Sequence, residues 1–218
     1  MSFAALTSGG KDSILAMQKA LDVGKKISHM VTVVPKNKES YMFHSANLNA
    51  VPVMAERTGV EYVEIKSDGV KEKEVEDMKA GLEKLDIEGV TVGAIESEYQ
   101  RSRVDEVCKS LGLTMFAPLW KMKPLDVLKE VSEKMDARIV VCASDGLGEN
   151  VLGKRIDENL ITELLRVSQK RRIHIAGEGG EYESLVLNAP CFSSPINFSE
   201  MKFEYEGLLG KALIERFW

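Results

Sequence analysis

Six consecutive residues near the start of the chain could do chemistry together. Ser8, Gly9, Gly10, Lys11, Asp12 and Ser13 combine two hydroxyls, two glycines, a cation and a carboxylate within "LTSGGKDSILA". Such a set suits a phosphate. Adjacent glycines let the backbone turn tightly and approach an anion closely. A helix that follows points its free N–H groups and positive dipole end at the same anion. Ser8 and Ser13 can donate to phosphate oxygens, and Lys11 adds a compact positive charge. Asp12 fits two roles, capping the helix or helping to hold a magnesium ion. Two familiar loops do not fit. A Walker loop would need glycine where Ala5 stands and a hydroxyl residue where Asp12 stands. The dinucleotide fingerprint needs its first two glycines separated by one residue, and here they adjoin.

The elements around this loop place it. "FAALTS" is a short apolar run without alternation, as expected of a parallel strand covered on both faces. Ile14, Met17 and Leu21 follow at helical spacing, and Gly24 closes the segment. "KISHMVTVVP", "VEYVEI", "GVTVGAI" and "LTMFAPLW" read as four further strands. Helical patterns separate them: "NLNAVPVMAERTG", then Val75, Met78, Leu82 and Leu85, then Val104, Val107, Cys108 and Leu111. Five alternations predict a doubly wound α/β fold with a five-stranded, mostly parallel sheet. Ligands of such sheets bind outside the C-terminal strand ends, where the glycine loop falls.

The second half changes character near Pro118, which sets a boundary between residues 1–118 and 119–218. "PLDVLKEVSEKM" and "ENLITELLRVSQK" read as helices and "ARIVVCA" as a strand. "RRIHIAGEGGEYESLVLN" reads as two strands around a glycine turn, and "MKFEYE" as a half-exposed strand. A smaller α+β domain follows from that pattern, with a substrate cleft between the halves.

Composition excludes several classes. The 218 residues carry a net charge of -5, so no global basic field recruits nucleic acid. Cys108, Cys142 and Cys191 are odd in number and widely spaced, against a disulfide framework or zinc site. The start lacks a basic leader region and no stretch reaches membrane-spanning length, so a cytoplasmic protein with reduced thiols is expected. The two tryptophans and ten methionines read as core filling.

Further candidates lie at the same sheet edge and in the second half. Tyr99, Gln100, Arg101 and Arg103 follow the fourth strand. Arg101 can pair with a phosphate or a carboxylate, or simply belong to a solvated helix start. In "GEGGEYES", Gly177, Gly179 and Gly180 can turn backbone toward a ligand, or merely make a hairpin turn. Glu178 and Glu181 can bind ammonium, deprotonate it, or hold magnesium. Lys154 and Arg155, in "LGKRID", can meet an anion or lead a helix.

"SGGKDS" resembles the PP-loop of the N-type ATP pyrophosphatases, which cut ATP between the α and β phosphates and adenylate a substrate oxygen. "SYMFHSAN", "GAIESEYQRSRVDEVC", "LGKRID" and above all "GEGGEYESLV" narrow the likeness to the diphthine–ammonia ligase family, across nearly the whole chain and in order. That resemblance implies an adenine nucleotide α-hydrolase-like (HUP-type) fold, ATP as substrate and Mg2+ beside it. It implies a reaction on translation elongation factor 2. ATP adenylates the diphthine carboxylate with release of pyrophosphate, and ammonia then displaces AMP to give diphthamide. It assigns Lys11, Asp12, Glu178 and Glu181 to catalysis. It assigns His44, Tyr99, Gln100, Arg101, Gly179 and Gly180 to substrate binding, with Asp12 toward the metal. No glutaminase nucleophile is apparent, so free ammonium is the expected nitrogen source. No stable nucleic-acid or membrane contact is expected, and a homo-oligomer is compatible with the sequence. Two alternatives stay open: another PP-loop enzyme acting on a different carboxylate or on tRNA, and a non-catalytic ATP-binding sensor. Acidic balance and the lack of cysteine pairs weigh against tRNA thiolation.

Overall fold

The computed structural model describes residues 2–35, 46–68 and 73–218. In chain order, the first half contains β1 (Phe3–Leu6), α1 (Lys11–Asp22), β2 (Ile27–Pro35), α2 (Val51–Thr58), β3 (Glu61–Ser67), α3 (Lys73–Leu82), β4 (Gly89–Thr91), α4 (Glu98–Leu111) and β5 (Thr114–Phe116). The strands form one sheet in the order β3-β2-β1-β4-β5, with every ladder parallel. Alternation along β1 explains why it shows no polar face. Phe3 and Ala5 pack with α1 and α2, whereas Ala4 packs with Met78 of α3 and Val104 of α4 on the other side. The sheet is therefore doubly wound, and its strand order reverses between β1 and β4. The loops leaving those two strands meet at the switch point.

The second half holds α5 (Pro124–Lys134), β6 (Asp136–Cys142), α6 (Glu158–Ser168), β7 (Tyr182–Asn188), β8 (Met201–Glu206) and β9 (Leu209–Ile214). Its strands form an antiparallel sheet in the order β7-β6-β9-β8. The two halves share a core. One apolar cluster joins Ile14, Leu15 and Met17 of α1 to Leu128 and Val131 of α5, Ile139 of β6 and Leu185 of β7. This is why α1 buries Leu15, Ala16 and Ala20 beyond its expected stripe.

Two polar ties reinforce the shared core. Lys19 of α1 lies 2.7 Å from Glu130 of α5, which also pairs with Lys134. Burial alone would raise the Glu130 carboxyl, but hydrogen bonds from Lys134 and Lys19 outweigh it and hold the group below its ordinary value of 4.5. A depressed carboxyl contributes stability above its unfolded value and loses it as pH falls through the folded one. Glu130→Gln is therefore expected to lower the thermal midpoint near neutral pH. The gap to wild type should close as unfolding is followed well below pH 4.5.

The second tie is Asn47. It adopts a left-handed conformation (φ 57°) and is 7% exposed. Its side-chain amide donates to Ala212 O and its Oδ1 accepts from Ile214 N–H, both at 2.9 Å. The amide thus copies a peptide unit and adds a rung to β9, fastening the entry to α2 onto the second sheet. Asn47→Ala removes both bonds and the αL tolerance of asparagine. The expected loss is about 3 kcal/mol, or roughly 10 °C in thermal midpoint, read by calorimetry.

Several expectations need correction. In residues 171–188 only Tyr182–Asn188 is a strand. The preceding stretch is irregular and packs under it, with Tyr182 Oη donating to Ile175 O, because β7 pairs with β6 rather than with its own neighbour in sequence. β9 was not anticipated. β8 is not half-buried: it is an edge strand with five of its six residues exposed. Of the tryptophans, Trp218 is 55% exposed and does not fill the core, whereas half-buried Trp120 packs against the Met78 and Val104 cluster beneath two cations, and Met17, Met30, Met54, Met78 and Met135 are buried as expected. The three cysteines are free, and burial raises the Cys108 and Cys191 thiols to about 11. Among the described residues no helix is long and apolar enough to cross a membrane.

Candidate active site

A cavity of about 550 Å³ opens where the loops after β1 and β4 meet the segment that leads into β7. Its back wall is apolar, formed by Leu6, Val31, Val33, Met78, Val92 and Val104. Its front is polar and contains Ser8, Gly10, Lys11, Asp12 and Ser13.

The glycine loop is shaped from within and from both sides. Gly9 N–H donates to Thr7 Oγ1 at 2.8 Å, a local side-chain turn that sequence reading did not assign. Thr7 Oγ1 and Ser13 Oγ lie 2.7 Å apart. Gly9 needs its glycine for its backbone, because φ is +82°, and a Cβ there would also displace the Met54 Cε tip from 2.9 Å. On the opposite side Val186 N–H donates to Gly9 O, and Lys11 N–H donates to Ser184 Oγ at 3.1 Å. The second half of the chain thus buttresses the loop directly.

The structure separates the two roles open to Asp12. The N-cap of α1 is Gly10 and no side chain caps it, so Asp12 is not a cap. Its Oδ2 accepts from Lys11 Nζ at 2.8 Å, while Oδ1 is buried without a hydrogen-bond partner. Burial raises the Asp12 carboxyl above its ordinary value; Lys11 pulls it down without cancelling that, and Glu178 and His174 act as lesser neighbours. Lys11 itself is 3% exposed and is directed inward. Its Nζ donates to Ala176 O as well as to Asp12, above the Tyr182 ring at 5.2 Å. Its ammonium is a strut between the loop and residues 174–181. Lys11 nevertheless lines the cavity, on the same side as Ser8, Gly10 and Ser13.

The glutamates of "GEGGEYES" hold backbone. Glu178 Oε1 accepts from three successive N–H groups, Ile95 and Glu96 at 3.0 Å and Ser97 at 2.8 Å, in the loop between β4 and α4. Glu181 uses both oxygens within its own segment, accepting from His174 N–H at 2.7 Å and Gly179 N–H at 2.9 Å. Glu178 lines the cavity and Glu181 does not. His174, absent from the sequence candidates, completes the clasp. Its Nδ1 accepts from Glu178 N–H at 3.3 Å, which leaves the proton on Nε2, 3.2 Å from Glu96 Oε2.

Gly179, Gly180, Tyr99 and Gln100 all line the cavity. Arg101 does not. One residue further round α4, its guanidinium stacks on Trp120 at 4.7 Å and reaches Glu98 at 3.8 Å. Helical rotation of about 100° per residue carries it off the face that Gln100 presents. Lys154 and Arg155 are exposed on the second sheet's side, and Arg155 donates to Met135 O at 3.1 Å beyond the end of α5. His44 lies outside the described residues.

A 3-2-1-4-5 parallel sheet with an anion loop at its switch point, opening on an apolar slot, defines an α/β nucleotide-binding protein. A solved structure described as a predicted subunit of tRNA methyltransferase from Methanocaldococcus jannaschii shares this fold. Its TM-score is 0.50 and its identity 15%, over 87% of this chain and 98% of that one. The family models for the diphthamide synthase N-terminal and C-terminal domains match residues 1–115 and 123–218. The diphthine–ammonia ligases of Bos taurus and Rattus norvegicus are 35% and 36% identical, over 90% of this chain and 82% of each relative. That of Danio rerio is 33% identical over 90% of this chain and 86% of its own length. The chain belongs to the diphthamide synthase family of diphthine–ammonia ligases.

Proposed function

We propose that this protein is an ATP-dependent amide ligase that completes diphthamide on translation elongation factor 2. In this reading residues 1–118 bring ATP and residues 119–218 wall the substrate side. One observation carries it. A single cavity joins the glycine loop to residues 177–180 and 182–184, so the phosphates and the acyl acceptor share one space.

The apolar slot of Leu6, Val31 and Val33 takes the adenine, and the positive end of α1 faces the phosphates. The diphthine carboxylate attacks the α phosphorus, the bond to the β-phosphate oxygen breaks, and pyrophosphate leaves. Ammonia then attacks the acyl carbon of the mixed anhydride, AMP departs with the bonding pair, and nitrogen sheds a proton as the amide forms. Splitting the reaction this way replaces oxide, a hopeless leaving group, by a phosphate ester. The partly buried Asp12, with Oδ1 unpartnered, suits a magnesium ion that takes one protein carboxylate and completes its shell with phosphate oxygens and water. Among the described residues no cluster of three or more His, Cys, Asp or Glu could hold a metal. When bound, the ion would neutralise charge on the phosphates. Glu178 and Glu181 already accept N–H groups, and their part is to position the walls rather than to take the ammonium proton.

The test is release of pyrophosphate and AMP from ATP, magnesium and ammonium, with product mass read on elongation factor 2 that carries diphthine. Amide in place of acid is expected, dependent on the modified factor. Asp12→Ala is expected to slow turnover by about a hundredfold to a thousandfold, the loss typical of one preorganised electrostatic group. Pyrophosphate release without any need for the factor would point to another carboxylate.

A further inference from the structure

The active-site cavity has two polar walls of opposite character. The loop after β1 brings hydroxyls, Lys11 and the positive end of α1, which suit an anion. Gly177, Glu178, Gly179 and Gly180 line another side. A glycine can show a cavity only its backbone. The chemistry of that wall therefore depends on which backbone groups are already engaged.

All four N–H groups of the segment are engaged within it. Gly177 N–H donates to His174 O at 2.8 Å, and Glu178 N–H to His174 Nδ1 at 3.3 Å. Gly179 N–H donates to Glu181 Oε2 at 2.9 Å, and Gly180 N–H to Gly177 O at 3.2 Å. Acceptors are what the wall has left. Among the described residues no backbone N–H donates to the carbonyls of Glu178, Gly179 and Gly180. Glu178 collects the Ile95, Glu96 and Ser97 N–H groups on Oε1 alone, so its second oxygen keeps its acceptor capacity. Three donors on one oxygen also hold the carboxylate in one orientation, which fixes where Oε2 stands.

A wall of acceptors with one negative charge suits a cation that brings its own donors. Magnesium fits it poorly, since it prefers an octahedral shell of water, carboxylate and phosphate oxygens. A quaternary ammonium fits poorly too, because it has no N–H and is usually held by aromatic rings. Ammonium carries four N–H donors, and carbonyl oxygens readily replace water around a monovalent cation. We infer that residues 177–180 form the ammonium subsite, with Glu178 Oε2 and the carbonyls of this segment as its acceptors. The inference rests on the function proposed above and states where that reaction holds its nitrogen source. Glu178 is the counter-ion there and not the base. Ammonium gives one proton to water before its lone pair attacks the acyl carbon, and the nitrogen loses a second as AMP leaves and the amide forms.

The test follows amidation of elongation factor 2 bearing diphthine as ammonium chloride is varied, in wild type and in Glu178→Gln. Glutamine keeps one oxygen for the three N–H groups and turns an NH2 donor toward the cation in place of Oε2. KM for ammonium is expected to rise about tenfold or more, with KM for ATP unchanged and kcat at saturating ammonium changed far less. A second measurement needs no turnover. The wild-type thermal midpoint should be higher in ammonium chloride than in tetramethylammonium chloride at equal ionic strength and pH, and Glu178→Gln should lose that difference. A folded Glu178→Gln with the wild-type KM for ammonium would overturn the inference and leave the reaction standing. So would equal wild-type midpoints in the two salts, which decides the case even if Glu178→Gln fails to fold. Wild type that forms no amide but keeps the Glu178-dependent ammonium shift would refute the proposed reaction alone.

Discussion

Gly93→Ala is expected to lower the thermal midpoint by roughly 10 °C, about 3 kcal/mol, and to weaken ATP binding together with it. Gly93 follows β4 and lies against the first turn of α1. A Cβ there would sit 2.6 Å from Asp12 C and Ser13 N and 2.8 Å from Asp12 O. These are backbone atoms at the start of a helix buried on nearly every side, so no rotamer change can relieve the clash. The helix must shift, and it carries Asp12 and Ser13 with it. Gly148→Ala is the matched control, because its Cβ would meet only Asn150 Oδ1, at 3.9 Å. Calorimetric unfolding and an ATP titration on both variants check the prediction. Wild-type behaviour of Gly93→Ala would mean that the two loops are not in contact at the switch point.

The second large effect distinguishes a clasp from a base. Glu178→Ala leaves three amides without their common acceptor, detaching residues 174–181 from the loop before α4. Bonds to a charged acceptor are worth more than neutral ones and are not additive, so a total near 3 kcal/mol is expected, with about a hundredfold loss of turnover. Glutamine keeps the oxygen that accepts. Glu178→Gln should therefore hold the thermal midpoint near wild type and keep turnover within about tenfold. A base cannot be replaced by an amide. Equal inactivation of both variants, with the Gln protein fully stable, would restore Glu178 to proton transfer.

Much of this was legible in the chain. "SGGKDS" after an apolar run and before a helical pattern gave the anion loop, because each of its properties is local: turn conformation, hydroxyl placement, and the helix start. The five alternating segments set the doubly wound sheet, since periodicity follows from which faces each segment must bury. β9 escaped notice because Gly210 and Lys211 break the apolar run of "LLGKALI", and its strand state depends on partners in β6 and β8. The flat exposure of β8 escaped for a related reason. "MKFEYE" alternates like a half-buried strand, but burial needs something packed on that face.

The sequence by itself determined the loop and the sheet, and marked residues 177–184 as candidates. Tertiary structure decided what each side chain there does. Lys11 was legible as a cation, but its inward direction is set by Ala176, 165 positions away. Glu178 was legible as a carboxylate, but its three donors lie 81 to 83 positions earlier. Asn47 was unremarkable in "SYMFHSAN" until β9 supplied its partners. Arg101 and Gln100 are adjacent in sequence, and only the rotation of α4 against Trp120 puts one in the cavity and the other outside it. Residue type fixes what a group can donate, accept or carry as charge. What it meets depends on contacts between distant segments, which no local pattern encodes.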